Sequence, residues 1–143
     1  LPLRQARSGH EYYLTDMVAL AIEQGRLVEA VTTDDPDECL GAGTRAELVL
    51  VEKAFRRRAN RRWLENGVTL INPDATYIDQ DVTIGQDTVI WPNTYLQGQT
   101  TIGEDCVIGP NAILRHTQVG RNCRIEQAVV ENQVIADNTV VSC

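Results

Sequence analysis

The sequence is poor in aromatic residues and contains no long apolar run. Phe, Trp and Tyr make up only 5% of its 143 residues, whereas Val, Ile and Thr are frequent, which favours a β-rich stack. No segment approaches the roughly 18 consecutive apolar residues of a membrane span. No signal peptide is recognisable, although the chain starts at Leu1 and a true N-terminus could lie further upstream. We therefore expect a cytoplasmic protein that does not act at a membrane.

Positive charge is scarce. The chain has 13 Lys and Arg residues against 20 Asp and Glu residues, which gives a net charge of −7 and a pI near 4.7. Proteins that bind nucleic acid neutralise phosphates with a basic surface. The acidic balance argues against nucleic acid as a partner.

A six-residue repeat runs from about residue 78 towards the end of the chain. Each repeat opens with an aliphatic residue, and a small or β-branched residue follows four positions later. The openers are Ile78, Ile84, Ile90, Leu96, Ile102 and Ile108, and the small positions are Val82, Thr88, Thr94, Thr100, Cys106 and Ala112. A unit this short cannot bury its own apolar face, so the repeat predicts a stack of similar units.

The repeat has a simple geometric interpretation. Six residues, at about 3.3 Å per residue, suffice for a short strand and a turn. Three such units can close a triangular coil, with the opener inside and the small residue near a corner. Glycines that follow the opener, such as Gly85 and Gly103, would free the backbone at or near the bend. The repeat shortens to five residues at 114–118, 125–129 and 130–134, which a corner can tolerate. Ordinary antiparallel strands with chance spacing are the alternative.

The repeat also makes predictions for the cysteines and for the outer surface. The four cysteines show no CxxC or metal-binding spacing, and Cys106 and Cys123 fall in the small position one coil apart. We expect these two to stack as reduced core residues; a metal or disulfide pair is the alternative. Val89, Tyr95, Val107 and Ile113 face outward at intervals of six or twelve residues and predict an apolar stripe along the stack.

Two helices and a strand are predicted upstream of the repeat. Thr15 or Asp16 can cap a short helix that Gly25 ends, and residues 27–31 form a predicted strand. Thr44 and Glu47 form a capping box for a long helix that ends at Asn66-Gly67. The apolar stripe of this helix is Leu48, Val51, Phe55, Ala59 and Trp63. Its basic cluster, Arg56, Arg57, Arg58, Arg61 and Arg62, is predicted to be a solvated face, with a phosphate or cofactor contact as the alternative.

Three features together resemble a known family. They are the string Gly-His-Glu-Tyr-Tyr-Leu-Thr-Asp at 9–16, the string Arg-Arg-Trp-Leu-Glu-Asn-Gly-Val-Thr at 61–69, and the hexads. In that order they resemble the bifunctional bacterial UDP-N-acetylglucosamine pyrophosphorylase / glucosamine-1-phosphate N-acetyltransferases, over nearly the whole chain. The resemblance implies a mixed fold. Residues 1–45 would end an α/β uridylyltransferase domain, 46–66 would be a linker helix, and 67–143 would begin a left-handed parallel β-helix.

The resemblance also implies a reaction sequence and its cofactors. Such proteins transfer an acetyl group from acetyl-CoA to glucosamine-1-phosphate and then a uridylyl group from UTP, with Mg²⁺, to make UDP-N-acetylglucosamine for cell-wall precursors. The β-helices assemble as parallel homotrimers. Because neither end of the chain closes its sheet or coil, we expect an internal piece of such a protein that is inactive alone.

Few residues of the family's active sites map onto this chain. Tyr13 and Thr15 match the wall of the sugar-nucleotide pocket, and Glu11 lies beside them; the alternative is that these residues pack and cap the helix. The family's Mg²⁺-binding asparagine falls at Gly43, which has no side-chain oxygen, so no metal ligand is predicted here. The acetyltransferase histidine belongs to later coils; we expect a structural role for His116 and an exposed position for His10.

Three interpretations of function therefore remain open. The chain is a fragment of the bifunctional transferase, a non-catalytic trimerisation scaffold, or a piece of a related sugar-phosphate nucleotidyltransferase whose β-helix is structural. The first two are compatible, since a fragment of an enzyme can itself be a scaffold.

Overall fold

A computed structural model describes residues 13–142. The chain separates into two compact units between Glu38 and Cys39. Within residues 13–142, no helix has both the length and the apolar character needed to cross a membrane.

The described part of the first unit contains a short α-helix, α1 (Asp16–Glu23), as predicted. Thr15 occupies the N-cap position, but its backbone is already helical and its side chain makes no capping hydrogen bond. Gly25 follows the helix with a φ of +68°, a left-handed conformation that glycine adopts without a steric penalty. No residue of α1 is buried.

The predicted strand at 27–31 is wrong. This segment has no regular secondary structure in the described part of the first unit, and Leu27 and Val31 are 86% and 97% exposed. A strand is stable only when its backbone groups pair with a neighbouring strand. A short 3₁₀ helix, Pro36–Cys39, follows.

The second unit begins with the long helix α2 (Arg45–Glu65), which has the predicted capping box. The Thr44 hydroxyl accepts a hydrogen bond from the Glu47 backbone N–H at 3.2 Å, and a Glu47 carboxylate oxygen accepts one from the Thr44 N–H at 2.9 Å. Asn66 caps the C-terminus, and Gly67 follows with a φ of +85°. Both predicted ends are confirmed to within one residue.

The contacts that attach α2 to the first coil of the β-helix include several from the second half of the helix. Asn60, 1% exposed, donates hydrogen bonds to the carbonyl oxygens of Pro73 (2.7 Å) and Thr76 (3.0 Å). Trp63 packs against the core, whereas Leu48 and Phe55 are 56% and 68% exposed. Of the predicted apolar stripe, Val51, Ala59 and Trp63 are half-buried and Leu48 and Phe55 are exposed, so the stripe is only partly covered.

The arginine cluster of α2 is not uniformly solvated. The Arg56 side chain is 15% exposed; it pairs with Glu52 and lies 4.6 Å from the centre of the Tyr77 ring. Arg57 and Arg61 are mostly exposed and pair with Asp74 and Glu65. The predicted solvated face is therefore wrong for Arg56, because a guanidinium can stack on an aromatic ring while its edge stays paired.

The rest of the second unit is a parallel β-helix of about four turns, and it is left-handed, as the resemblance implies. A 3₁₀ helix, Pro73–Ala75, interrupts the first turn. The strands are β1 (Thr69–Leu70), β2 (Thr76–Ile78), β3 (Thr83–Ile84), β4 (Val89–Ile90), β5 (Thr94–Gln97), β6 (Thr101–Ile102), β7 (Val107–Ile108), β8 (Ile113–Arg115), β9 (Gln118–Val119), β10 (Arg124–Glu126), β11 (Val129–Glu131), β12 (Val134–Ile135) and β13 (Val140–Ser142).

Every third strand pairs in parallel, so the strands form three sheets, which are the faces of a triangular prism. The first face is β1-β4-β7-β10-β13, the second is β2-β5-β8-β11, and the third is β3-β6-β9-β12. One hexad is thus one side of the triangle, as predicted. In the five-residue repeats, the residue that is missing relative to a hexad is a corner residue, so the strands stay in register. Val119 still pairs with Ile102, and Ile125 pairs with Ile108.

The openers form the core. Ile90, Leu96, Ile108 and Leu114 are all fully buried. The small positions form columns at the corners, where Cys106 and Cys123 are buried, free thiols stacked on Thr88, as predicted. The Cys106 N–H donates to the Thr88 hydroxyl at 3.1 Å, and the Cys123 N–H donates to the Cys106 sulfur at 3.4 Å. Burial raises the pKa of the Cys106 thiol, so it stays protonated and unreactive.

The corners turn through left-handed residues, and most of these are not glycine. In the described part these are Asp87, Asn93, Asp105, Asn111, His116, Asn122, Gln127, Asn132 and Asn138, with φ between 48° and 59°. Asn and Asp tolerate this conformation better than other side chains. Gly85 and Gly103 serve close packing instead, because a Cβ on either would lie 2.6 Å from backbone atoms of the next coil. The prediction that these glycines free the bend is wrong for this pair.

Candidate functional site

Tyr13 and Thr15, the predicted substrate-binding residues, lie at the start of α1. Both are exposed, and their carbonyl oxygens accept hydrogen bonds from the N–H groups of Asp16 and Val18 at 3.1 and 3.2 Å. Their backbones thus help to start the helix. Glu11 lies outside the described residues, and the assignment of Glu11, Tyr13 and Thr15 to a substrate pocket stays a prediction. His10, which is expected to be exposed, also lies outside the described residues.

Gly43 belongs to the capping network of α2. Its N–H donates a hydrogen bond to a Glu47 carboxylate oxygen at 2.8 Å. The hydrogen bonds from the Gly43 backbone, the Thr44 side chain and the Thr44 backbone hold the pKa of Glu47 below its usual value. Among residues 13–142, no three His, Cys, Asp or Glu side chains are grouped so that they could hold a metal ion.

His116 forms part of a corner of the coil. Its φ is 48°, and its imidazole lies directly against Gly98, so that a Cβ at Gly98 would collide with the ring. Its Nδ1 atom accepts a long hydrogen bond, 3.4 Å, from the Gln99 N–H. These contacts fit the structural role expected for this residue.

The predicted single apolar stripe is wrong, because its residues lie on two different faces of the prism. Residues six positions apart lie on neighbouring faces, because one hexad is one side of the triangle; residues about 18 apart lie on the same face. The predicted stripe therefore divides into two apolar ladders. The first face carries Thr69, Val89, Val107, Arg124 and Val140, the second carries Tyr77, Tyr95, Ile113 and Val129, and the third carries Thr83, Thr101, Gln118 and Val134.

Within each ladder, apolar side chains of successive coils lie next to each other. Tyr77 and Tyr95 stack with ring centres 4.5 Å apart and planes 3° from parallel. On the first face, Val89, Trp91 and Val107 line a shallow groove of about 480 Å³ that also includes Pro110, Arg124, Glu126 and Gln127. Trp91 is 42% exposed. Apolar surfaces of this kind often mark sites of protein association.

A second concave site lies between α2 and the first coil, and the sequence analysis did not predict it. The cavity measures about 390 Å³ and is lined by Phe55, Arg58, Ala59, Arg62, Trp63, Ile78, Asp79 and Gln80. The feature of the sequence that could have indicated this cavity is an apolar row beside a basic row on α2, each with a spacing of four residues. The coil residues opposite them could be placed only by the tertiary structure.

The repeat has a recognised counterpart. The bacterial transferase hexapeptide family, described by six repeats, matches residues 81–116, which form strands β3 to β8 and the segments around them. The second unit thus contains a hexapeptide-repeat β-helix of the bacterial transferase type.

Comparison with curated proteins identifies particular relatives. The chain is 40% identical over 131 residues to the bifunctional protein GlmU of Shouchella clausii, and the match covers 92% of this chain and 29% of that protein. It is 44% identical over 121 residues to GlmU of Symbiobacterium thermophilum, covering 85% of this chain and 26% of that protein. Over about nine-tenths of its length the chain is similar to GlmU proteins, and it spans roughly a quarter of the length of these relatives.

A likeness to a solved structure is much weaker. The crystal structure of Entamoeba histolytica serine acetyltransferase 1 in complex with L-cysteine covers 68% of this chain at 15% identity, and 47% of that chain is matched. The TM-score is 0.34, which is too low to support an argument.

Proposed function

We propose that this chain is a segment of a bifunctional transferase that makes UDP-N-acetylglucosamine. The observation that carries the proposal is the identity of 40–44% to GlmU proteins over about nine-tenths of the chain, which extends well beyond the hexad region. The parent protein would acetylate glucosamine-1-phosphate with acetyl-CoA and then transfer a uridylyl group from UTP, in the cytoplasm and with Mg²⁺. These reactions would supply precursors of the cell wall.

Within that protein, the three parts of the chain have different roles. Residues 1–45 would end the uridylyltransferase domain, 46–66 would be the linker helix, and 67–143 would form the first coils of the acetyltransferase β-helix. Glu11, Tyr13 and Thr15 would contribute to the wall of the sugar-nucleotide pocket. Gly43 offers no side-chain oxygen to Mg²⁺, so another group or water would fill that position.

We also propose that the β-helix assembles as a homotrimer. Two faces of the prism carry apolar ladders, whereas the third face carries mainly Thr and Gln. A threefold assembly is heterologous: each subunit contacts one neighbour with one patch and the other neighbour with a different patch. Two apolar faces and one polar face suit that arrangement, with the first face of one copy against the second face of the next.

A second candidate function for the chain by itself is a non-catalytic trimerisation scaffold. The same apolar ladders favour it, because they need only a second and a third copy of the chain. It is compatible with the first proposal, since a scaffold can be one part of an enzyme.

Two assays test the enzymatic proposal. The chain alone and the longest open reading frame that contains it are each incubated with acetyl-CoA and glucosamine-1-phosphate, and separately with UTP, N-acetylglucosamine-1-phosphate and Mg²⁺. Thiol release and pyrophosphate release are measured. We expect turnover from the longer protein in both assays and none from the chain. A longer protein that is folded but inactive in both assays would refute the proposal, and turnover by the chain alone would show that it contains reacting groups.

A further inference from the structure

We propose that the cavity between α2 and the first coil binds a small anion that carries a planar ring, such as an aromatic or nucleoside phosphate. Its volume, about 390 Å³, falls in the range of roughly 300–1,000 Å³ that is usual for small-molecule sites. The cavity shares no residue with the apolar ladders of the first and second faces. The proposal therefore does not depend on the trimer or on the reactions proposed above.

The helix wall of the cavity carries an apolar row. Phe55, Ala59 and Trp63 are spaced by four residues and so lie on one side of α2. Phe55 and Trp63 are separated by about 12 Å of helix, and the small Ala59 lies between them. A flat ring can enter this space and contact aromatic side chains, which favour stacked or edge-to-face arrangements.

A basic row runs beside the apolar row. Arg58 and Arg62 are also four residues apart and line the same cavity. Arg56, Arg57 and Arg61 pair with carboxylates, but Arg62 instead stacks over the Trp63 ring, 5.3 Å from its centre, and has no carboxylate partner within residues 13–142. A guanidinium that stacks through its face keeps its N–H edge available for an anion.

An acidic residue on the opposite wall makes the two sides of the cavity chemically different. Asp79 lies on the coil side, where one of its carboxylate oxygens accepts a hydrogen bond from the Gly98 N–H at 2.9 Å. Its negative charge disfavours an anion on that side, whereas its free oxygen can accept a hydrogen bond from a hydroxyl or amino group of the ligand. The anionic end of a ligand is thus directed towards Arg62 and the neutral end towards Asp79.

Tryptophan fluorescence can test binding in the full chain. The sequence contains two tryptophans, so Trp91→Phe leaves Trp63 as the sole indole, inside the cavity. This variant is titrated with phenyl phosphate, adenosine 5′-monophosphate, inorganic phosphate and benzyl alcohol. We expect saturable changes with one or both ring-bearing phosphates, and at least tenfold weaker binding of inorganic phosphate and of benzyl alcohol. Saturation by adenosine monophosphate alone would identify a nucleotide site, and saturation by phenyl phosphate would identify a broader aromatic-phosphate site.

Matched variants show whether binding is at this cavity. In the Trp91→Phe background, Arg62→Gln should weaken binding of the ring-bearing phosphate roughly tenfold, which corresponds to about 1.4 kcal/mol. Arg61→Gln removes the same charge one residue away and should change the dissociation constant less than twofold. Phe55→Ala should weaken the ring-bearing phosphate but leave inorganic phosphate unchanged. Equal losses in Arg61→Gln and Arg62→Gln, or no saturable change with either ring-bearing phosphate, would overturn the proposal.

Discussion

Single buried residues decide how α2 is attached to the β-helix. Asn60 is the buried residue of the helix, and its amide nitrogen satisfies two carbonyl oxygens of the first turn, those of Pro73 and Thr76. Carbonyl groups that are buried without a donor carry a desolvation penalty. Asn60 therefore orients the helix more specifically than an apolar residue would.

Replacing Asn60 with Leu should destabilise the second unit. The change leaves two carbonyl oxygens without their donor, and the expected loss in free energy of unfolding is roughly 1–3 kcal/mol. Urea denaturation followed by tryptophan fluorescence measures it. The neighbouring variant Arg61→Leu, at an exposed position, is the control. Equal stability of the Asn60 variant and the wild type would show that water satisfies these carbonyls.

A second residue-scale prediction tests the register of the coil. Ile102 is 4% exposed and lies in the core column of the third face. Truncation to Ala should lower the free energy of unfolding by roughly 2–5 kcal/mol. Glu104, which forms a 3.6 Å surface ion pair with Arg121, should tolerate truncation with a change under about 1 kcal/mol. Similar losses of stability at both positions in equilibrium denaturation would refute the assignment of Ile102 to the core and of Glu104 to the surface.

At the scale of elements, α2 depends on its N-terminal cap. Glu47 closes the capping box and also accepts a hydrogen bond from Gly43. Because these hydrogen bonds lower the pKa of Glu47, its charged form is stabilised in the folded helix. The stabilisation is present above the pKa of Glu in the unfolded chain, and it is lost as the pH falls through the lower folded pKa.

The variant Glu47→Gln should therefore reveal a pH-dependent contribution. We expect the wild-type helix to melt at a higher temperature than the variant at neutral pH, and this difference to shrink as the pH falls below the usual range of a glutamate. Thermal melts followed by circular dichroism at 222 nm, from pH 7 down to pH 3, measure it. Glu29→Gln, in the first unit, controls for the loss of a charge. A constant difference across this range would contradict the capping role of the carboxylate.

At the scale of the whole molecule, the three faces of the prism decide assembly. If the first and second faces pack against each other in a trimer, a charge introduced at an apolar position of either ladder is buried there without a partner, unlike Arg124, which pairs with Glu126. Tyr95→Arg and Val107→Arg should each dissociate the trimer, whereas Thr101→Arg, on the polar third face, should leave it intact. Light scattering at several protein concentrations measures the mass. A strict monomer of the wild-type chain at high micromolar concentration would refute the trimer.

The β-helix, the core openers, the stacked cysteines and the long capped helix could all be predicted from the amino-acid sequence. These features follow from local rules, because the hexad period sets which residues face inward and a capping box needs only two residues three positions apart.

Three other features depend on tertiary contacts and could not be predicted from the sequence: the absence of a strand at 27–31, the two separate ladders, and the cavity beside α2. The segment 27–31 has strand-forming residues, but pairing depends on a neighbour that the local sequence does not specify. The outward stripe became two ladders because three hexads, not one, separate residues on the same face. The cavity beside Arg62 and Trp63 forms where α2 lies against Ile78 and Asp79. Contacts between a helix and a coil corner at least 15 residues away leave no periodic signal in the sequence.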